Sequence, residues 1–152
     1  MATRSANSSA PKTAAARRRI ADATYARLKG KPAGVGPKST KAKTPGLPKT
    51  PTGLPIEAEI QGVMRDFAFG DVWSRPGLPL QTRSLVTLGL LTGLYRTDQL
   101  RIHVNIALNL SVTPEQILEV MLHAAAYAGL PTGANASTVA HEVFRKRGII
   151  KE

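Results

Sequence analysis

Cysteine is missing from all 152 residues of the sequence. Disulfides, thiol nucleophiles, CxxC redox pairs and cysteine-ligated zinc are therefore excluded. Apolar residues never form the run of roughly 18 that a membrane-spanning helix requires, and the start of the chain lacks the apolar middle of a secretory signal. These absences predict a cytoplasmic protein that does not enter a membrane.

Acidic residues are nearly missing from the first third of the chain. Residues 1–55 hold twelve Lys and Arg and the single acid Asp22, so this segment carries the whole net charge of +11. Residues 56–152 hold nine residues of each sign. Because this larger part is neutral and lacks interleaved basic and aromatic residues, nucleic-acid binding is expected only through the basic segment, if at all. We predict a basic arm over 1–55 and one helical domain over 56–152.

The basic arm contains two kinds of sequence. Pro and Gly recur too often in its later part for a regular helix, which predicts an extended linker. Residues 14–29 predict one basic amphipathic helix. Three interpretations of the arm stay open: a disordered or oligomer-wrapping arm, an anion-binding tail, and a transit peptide in residues 1–30 that would direct the protein to an organelle matrix.

The domain after residue 55 has helical periodicity and no strand pattern, which predicts an all-α fold of about five main helices. The predicted helices cover 56–73, 80–95, 97–110, 114–129 and 133–146. Thr97 is expected to cap one of them, and Thr113, Pro114 and Gln116 predict a capping box at another. The helix over 80–95 is apolar on nearly every side, which is typical of burial all round. A domain this small cannot bury it alone, so self-association is expected.

Two histidines lie on adjacent apolar helices. Helical spacing places His103 beside Leu100, Ile106 and Ala107, surroundings typical of a core histidine. His123 instead shares a face with Glu119 and Tyr127, which indicates either a solvated stripe or the wall of a site. The three histidines of the chain are 20 and 18 residues apart, which is no metal-ligand signature. The chain also has no glycine-rich phosphate loop, so we expect neither a metal nor a cofactor.

Three segments of this sequence have a familiar order. FAFGDVWSRPGLPLQTRSLVTLGLLTGL (67–94), LRIHVNIALNLSVTPEQILEVMLHAAAYAGLP (100–131) and ANA (134–136) resemble the carboxymuconolactone decarboxylase family. The resemblance implies the all-helical carboxymuconolactone decarboxylase/alkylhydroperoxidase D-like fold and a ring-forming homo-oligomer, a trimer or hexamer. The peroxidase branch of that fold carries CxxC before the helix histidine. Arg96 and Gln99 stand at those positions here, which excludes its chemistry.

The activity implied by the resemblance is cofactor-free decarboxylation of 4-carboxymuconolactone, or of a related small lactone or carboxylate, to an enol-lactone. This reaction belongs to the β-ketoadipate pathway of aromatic-acid (protocatechuate) catabolism, and its substrate is a small anion. An alternative is a non-catalytic or accessory helical oligomer of the same fold, whose basic arm binds an anionic partner.

The resemblance also implies roles for single residues. His103 is expected to be the proton donor or the oxyanion partner, and Arg75 and Arg83 the carboxylate anchors. The predicted second tier of the pocket consists of Trp73, Glu119, His123 and Tyr127. The family usually has Arg two positions after the helix histidine and Asn-Gly before the VT pair. This chain has Asn105, Leu110 and Ser111 there, so Asn105 is expected to contribute to the choice of substrate.

Overall fold

A computed structural model of the chain describes residues 13–30 and 55–151, which are helical and contain no strand. The elements in chain order are α1 (Ala14–Leu28), α2 (Pro55–Arg65), a π-helix (Asp66–Val72), α3 (Leu80–Gly93), α4 (Thr97–Asn109), α5 (Pro114–Ala128) and α6 (Leu130–Lys146). The all-α prediction is confirmed. Contacts divide these residues into two compact units, one with 13–27 and 55–79, the other with 28–30 and 80–151.

The helix predicted within the basic arm is present as α1. Ala21, Thr24 and Leu28 are its buried residues, and their spacing of three and four places them on one side of the helix. The predicted linker over 34–55 lies outside the described residues except for Pro55, and residues 1–12, 31–33 and 152 lie outside them as well.

The first unit contains a change of helix type that the periodicity did not predict. One continuous helix was expected over 56–73, but α2 ends at Arg65 and seven residues of π-helix follow. The amide of Trp73 donates to the carbonyl of Ala68 at 2.8 Å, a spacing of five residues. Because π-helices bond i to i+5 and α-helices i to i+4, the residues after Asp66 face other directions than an α-helix would give them.

Four helices build the second unit. Helix α3 packs against α4 and α5, and α6 packs against the same two helices. Their shared core contains Leu88 from α3; Leu100, Val104 and Ala107 from α4; Val112, Ile117 and Met121; and Ala136, Val139, Ala140, Val143 and Phe144 from α6. All of these side chains are at most 6% exposed, so the apolar stripes identified in the sequence form the core.

Helix α5 begins at the predicted capping box. The Thr113 hydroxyl accepts from the amide of Gln116 at 3.2 Å, and the Gln116 side chain accepts from the amide of Thr113 at 3.0 Å. Pro114 occupies the first helical position, where its missing N–H costs no hydrogen bond. Helix α5 ends at Gly129, whose φ of 101° is readily adopted only by glycine.

One predicted helix cap and one predicted helix start were wrong. Arg96 is the N-cap residue of α4 and makes no side-chain cap hydrogen bond, so Thr97 is the first helical residue and not the cap. Helix α6 begins at Leu130, three residues before the predicted start, and Pro131 lies in its first turn. Proline is tolerated there for the same reason as Pro114 in α5.

Helix α3, which is expected to be buried all round only when copies of the chain associate, is buried on one side within a single chain. Leu88 is fully buried, but Val86, Leu90 and Leu94 are 53%, 60% and 65% exposed. These three residues are four apart and follow one side of the helix. Helix α3 therefore has one apolar face in the core and a second, open one.

Glycines allow helices of the second unit to approach closely. A Cβ at Gly133 of α6 would lie 2.4 Å from Ala125 Cβ and 3.1 Å from the carbonyl oxygen of Met121, both in α5. Positions of this kind accept only glycine, because a methyl group would overlap the neighbouring helix. Helices α5 and α6 are consequently in close contact at Gly133.

Candidate functional site

His103 lies on α4 between buried residues. Leu100, Val104 and Ala107 are at most 1% exposed, and the His103 side chain is itself partly buried. Burial lowers the pKa of His103 below its ordinary value of 6.5, because a charged imidazolium loses hydration there. The imidazole is therefore neutral at neutral pH, and it can donate one N–H as a hydrogen bond without carrying charge.

Arg83 lies in the first turns of α3, on the same side of the helix as the open apolar stripe. It is partly buried, and it precedes Val86 and Leu90 by three and seven residues, so helical spacing aligns the three positions. The hydroxyl of Thr87 donates to the carbonyl of Arg83 at 2.9 Å. This places a cation at the beginning of an otherwise apolar face.

His123 and Tyr127 form an aromatic pair on the outside of α5. Their ring centroids are 5.1 Å apart at an interplanar angle of 53°, and Tyr127 is 82% exposed. Glu119, one turn earlier, is exposed as well. The polar stripe predicted from helical spacing therefore lies at the surface of a single chain.

The outer faces of α3 and α5 point to the same side. A Cβ at Gly89 would lie 3.7 Å from Val120 Cγ1, and one at Gly93 would lie 3.7 Å from Ala128 Cβ, so the two helices run in parallel. Each residue advances by about 100° around a helix. Leu94 comes one residue after the contact position Gly93, and Tyr127 comes one residue before the contact position Ala128. In two helices that run in parallel, these opposite rotations turn both side chains toward the same side of the helix pair. Helical spacing therefore predicts that Arg83, the open stripe of α3 and the His123–Tyr127 pair face the same side.

Asn105 is held on a different side of α4 from His103. Its side-chain NH₂ donates to the carbonyl of Arg101 at 2.9 Å, and its side-chain oxygen accepts from Arg147 Nε at 2.8 Å. Positions two apart on a helix are separated by about 200°. Both polar ends of Asn105 are therefore engaged where α4 meets α6, away from the His103 side chain.

Arg147, whose guanidinium lies beside Asn105, was not connected with the site by the sequence interpretation. Arg147 Nη2 donates to the carbonyl of Asn105 at 3.3 Å and to Asn109 Oδ1 at 2.9 Å. Burial lowers the pKa of Arg147. The two residues are 42 positions apart, so no local spacing could have paired them. The sequence drew attention to these surroundings only because Asn105 stands where the family usually has an arginine.

Trp73 and Arg75 belong to the first unit and follow its π-helix. The Trp73 side chain is 9% exposed and lies edge-on to Phe69, with ring centroids 6.2 Å apart. Arg75 is exposed, and its amide donates to the carbonyl of Val72 at 3.2 Å. The end of the π-helix therefore sets the directions of both predicted site residues.

Neither a metal cluster nor a membrane span is present in the part of the chain that the structure describes. No three His, Asp or Glu side chains there are close enough to share a metal ion. No helix within 13–30 and 55–151 is long and apolar enough to cross a membrane.

Comparison with known proteins gives a family and three relatives. The sequence profile of the carboxymuconolactone decarboxylase family matches residues 58–142. A 4-carboxymuconolactone decarboxylase of Acinetobacter baylyi is 47% identical over 94 residues, which cover 62% of this chain and 70% of that protein. A nitrosuccinic acid decarboxylase of Metarhizium robertsii is 42% identical over 90 residues, 59% of this chain and 63% of that protein.

The third relative has no assigned activity. It is an uncharacterised 15.0 kDa protein of Paracoccus denitrificans, 34% identical over 87 residues, which cover 56% of this chain and 65% of that protein. The chain thus spans slightly less than two thirds of this relative and of the Metarhizium protein. The profile match over 58–142 contains every residue that the sequence interpretation assigned to the site.

Proposed function

Because the chain belongs to the carboxymuconolactone decarboxylase family, we propose that it is a cofactor-free decarboxylase of 4-carboxymuconolactone or a related small lactone or carboxylate. The observation that carries this proposal is the 47% identity to a protein named for that activity. Its product would be an enol-lactone, in the β-ketoadipate pathway of aromatic-acid catabolism.

The substrate supplies its own electron sink. Carboxymuconolactone holds a carboxylate on the saturated ring carbon that is γ to the lactone carbonyl and is linked to it through the ring double bond. When the bond to CO₂ breaks, its electron pair moves through the double bond into the carbonyl and gives a dienolate. Protonation of that dienolate on carbon completes the reaction. The protein has to stabilise a developing oxyanion and deliver one proton.

His103 fits the first of these tasks. A neutral imidazole presents an N–H to the developing oxyanion, and such a donor contributes about 3 kcal/mol to transition-state stabilisation. The lowered pKa of His103 leaves little imidazolium at neutral pH. Of the two roles expected for this residue, oxyanion partner is therefore the one that the burial of His103 supports.

Arg75 and Arg83 are proposed as the carboxylate anchors. A carboxylate that leaves as CO₂ gains nothing from tight binding in the ground state, since only interactions that strengthen in the transition state raise kcat. At least one arginine should therefore bind the carboxylate that stays. Trp73, Glu119, His123 and Tyr127 are proposed to form the second tier, with Asn105 affecting the choice of substrate.

Nitrosuccinic acid is a second candidate substrate, favoured by the 42% identity to a protein named for its decarboxylation. A nitro group accepts the electron pair of the breaking bond as a nitronate, just as the lactone carbonyl accepts it as a dienolate. Both substrates also carry a second carboxylate. The same donors and arginines would therefore serve either of them.

We propose that the exposed apolar side chains of α3, α5 and the start of α6 join copies of the chain into the expected trimer or hexamer. Leu90, Leu94, Leu122, Tyr127 and Leu130 are each at least 60% exposed in one chain, and large apolar patches of this kind mark interfaces. Light scattering after gel filtration tests the assembly. Leu90→Glu should yield a smaller species, whereas Gln81→Glu, exposed on the same helix, should leave the mass unchanged.

The cellular location belongs to the proposal as well. We place the enzyme in the cytoplasm, with the organelle matrix as the alternative if residues 1–30 act as a transit peptide. Mass spectrometry of the N-terminus of the mature protein distinguishes the two, because import would remove this segment.

A spectrophotometric assay with enzymatically generated carboxymuconolactone tests the activity, with nitrosuccinic acid as the second substrate. The assembled wild-type protein should turn over at least one of them, and His103→Ala should lower kcat/KM by about 100-fold or more. No turnover of either substrate by an intact oligomer would reject the enzyme and leave the accessory oligomer with an anion-binding arm.

A further inference from the structure

The π-helix of the first unit lies against the basic helix α1. Four of its seven residues contact α1: Asp66, Phe69, Gly70 and Asp71. Arg18 Nη2 is 3.4 Å from Asp66 Oδ2, and Arg17 Nε is 3.4 Å from Asp71 Oδ1. Two of the twelve cations of the basic arm therefore pair with acids of their own chain.

The charges match in both directions. Asp22, the only acid of the first 55 residues, lies 3.4 Å from Arg65 Nη1, and Arg65 Nε is 3.6 Å from Asp66 Oδ1. Each charged residue that α1 contributes to these pairs therefore faces one of opposite sign: its two arginines face Asp66 and Asp71, and its aspartate faces Arg65. Complementarity of this kind fixes the register of two elements more than it adds affinity.

Close packing accompanies the ion pairs. A Cβ at Gly70 would lie 3.0 Å from the carbonyl oxygen of Arg17 and 3.4 Å from Ala21 Cβ. The Tyr25 and Phe69 rings are 5.1 Å apart, and Phe69 lies edge-on to Trp73. A continuous path of aromatic contacts therefore leads from α1 to the predicted site residue Trp73.

A π-helix is rare and is seldom retained without support from its surroundings. If Asp66–Val72 returned to α-helical bonding, Trp73 at its end would be displaced around the helix by about one residue, or roughly 100°, and the turn that carries Arg75 would begin from a different direction. The contacts to α1 engage both ends and the middle of the segment. They oppose this change.

We infer that α1 is a positioning element: it holds the π-helix through Asp66, Gly70 and Asp71, and thereby sets the directions of Trp73 and Arg75. An effect of α1 on catalysis through Arg75 rests on the proposed function. An effect of α1 on the surroundings of Trp73 does not. One interpretation of the arm was a tail that binds an external anion. For Arg17 and Arg18 we replace it by an intramolecular role, since both pair with acids of the same chain.

Gly70→Ala in the full chain tests the contact, with Gly62→Ala as the matched control. A Cβ at Gly62 in α2 meets nothing within 4 Å, so alanine should raise Tm there by roughly 2–4 °C through its better helix propensity. At Gly70 the added methyl should press on α1, give no such rise, and shift the emission of Trp73, the only tryptophan, to longer wavelength. Equal rises in Tm with unchanged emission would overturn the inference.

The ion pairs are tested separately because each is partly exposed and weak alone. Asp66→Asn with Asp71→Asn should shift the Trp73 emission as high salt does in the wild type. Asp98→Asn removes a pair of equal length, 3.4 Å to Arg101, in the other unit, and should not shift the emission. Exchanging the charges of one pair, Arg17→Asp with Asp71→Arg, should give a Trp73 emission closer to the wild type than either of these substitutions alone. A Trp73 emission that neither the double variant nor salt moves would contradict positioning by these pairs.

Kinetics complete the test. If Arg75 anchors a carboxylate, the Asp66→Asn, Asp71→Asn variant should show a roughly fivefold higher KM, equivalent to about 1 kcal/mol, with kcat retained. If the wild-type protein is inactive, the proposed function is rejected, but the emission measurements still test whether α1 positions Trp73. Active wild type whose KM and emission are both unaffected in this variant would instead reject the positioning role.

Discussion

Arg147 at the end of α6 binds Asn105 of α4 through both its side chain and its backbone. Nε donates to Asn105 Oδ1 at 2.8 Å, and Nη2 donates to the Asn105 carbonyl at 3.3 Å. The guanidinium thus lies over the last turn of α4, where exposed carbonyl groups favour a cation. A positive charge occupies the surroundings of position 105 although the family arginine is absent from it.

Exchanging Asn105 for Arg should therefore destabilise the protein. The new guanidinium would meet Arg147 in a half-buried place, and like charges there repel. We expect Asn105→Arg to lower the free energy of unfolding by about 1–3 kcal/mol. Adding Arg147→Ala should recover part of this loss, which a double-mutant cycle in urea measures. Arg145→Ala, exposed in the same turn, should change stability by less than about 0.5 kcal/mol.

The pH dependence of activity should follow His103. Its pKa lies below 6.5 in the folded chain, so the neutral form persists to more acidic pH than in a free histidine. We expect kcat/KM to be flat around pH 7 and to fall only below pH 6.5. His141→Gln should retain this acid limb, and His103→Gln should remove it. A limb centred above 6.5 would contradict the assignment.

The same burial predicts how stability depends on pH. The unfolded chain protonates His103 at about its ordinary pKa of 6.5, whereas the folded chain does so only at lower pH. Between these values the unfolded state binds more protons, so stability falls as the pH falls. Urea midpoints from pH 7 to pH 5 should decrease less in His103→Gln than in the wild type. Equal decreases would show that His103 does not contribute.

Gly133→Ala should be strongly destabilising. Its Cβ would lie 2.4 Å from Ala125 Cβ and close to the backbone of Met121, so α5 and α6 would have to separate. Overpacking of this kind costs about 1–3 kcal/mol. Gly89→Ala, whose Cβ would meet Val120 at an ordinary 3.7 Å, should be neutral or stabilising. Thermal unfolding compares the two, and similar Tm values would refute the close packing.

The two threonines expected as helix caps should behave differently. Thr113→Ala removes the hydroxyl that accepts from the amide of Gln116, and loss of such a cap costs about 1 kcal/mol. Thr97 is already inside α4, so Thr97→Ala should have little effect on the free energy of unfolding. Equal losses in chemical denaturation would contradict the boundary at Arg96.

Local signals predicted α5 best, because Thr113, Pro114 and Gln116 define its start within four residues and Gly129 ends it. The π-helix could not be predicted in the same way. Its apolar residues satisfy an α-helical period nearly as well, and the contacts that accompany it come from α1, about 50 residues earlier in the chain.

Helical spacing also predicted the surroundings of two histidines. It placed His103 among buried neighbours and His123 on a polar stripe, and both placements are confirmed. It failed for Arg147, whose partner Asn105 is 42 residues away. Long-range hydrogen bonds of this kind leave no periodic trace, and only the fold brings such residues together.

The place of Arg147 has an evolutionary consequence. Because Asn105 and His103 face different sides of α4, position 105 can change without altering the surroundings of the histidine. Such a change must still suit the guanidinium that reaches over from α6. We therefore expect positions 105 and 147 to vary together among relatives of this chain.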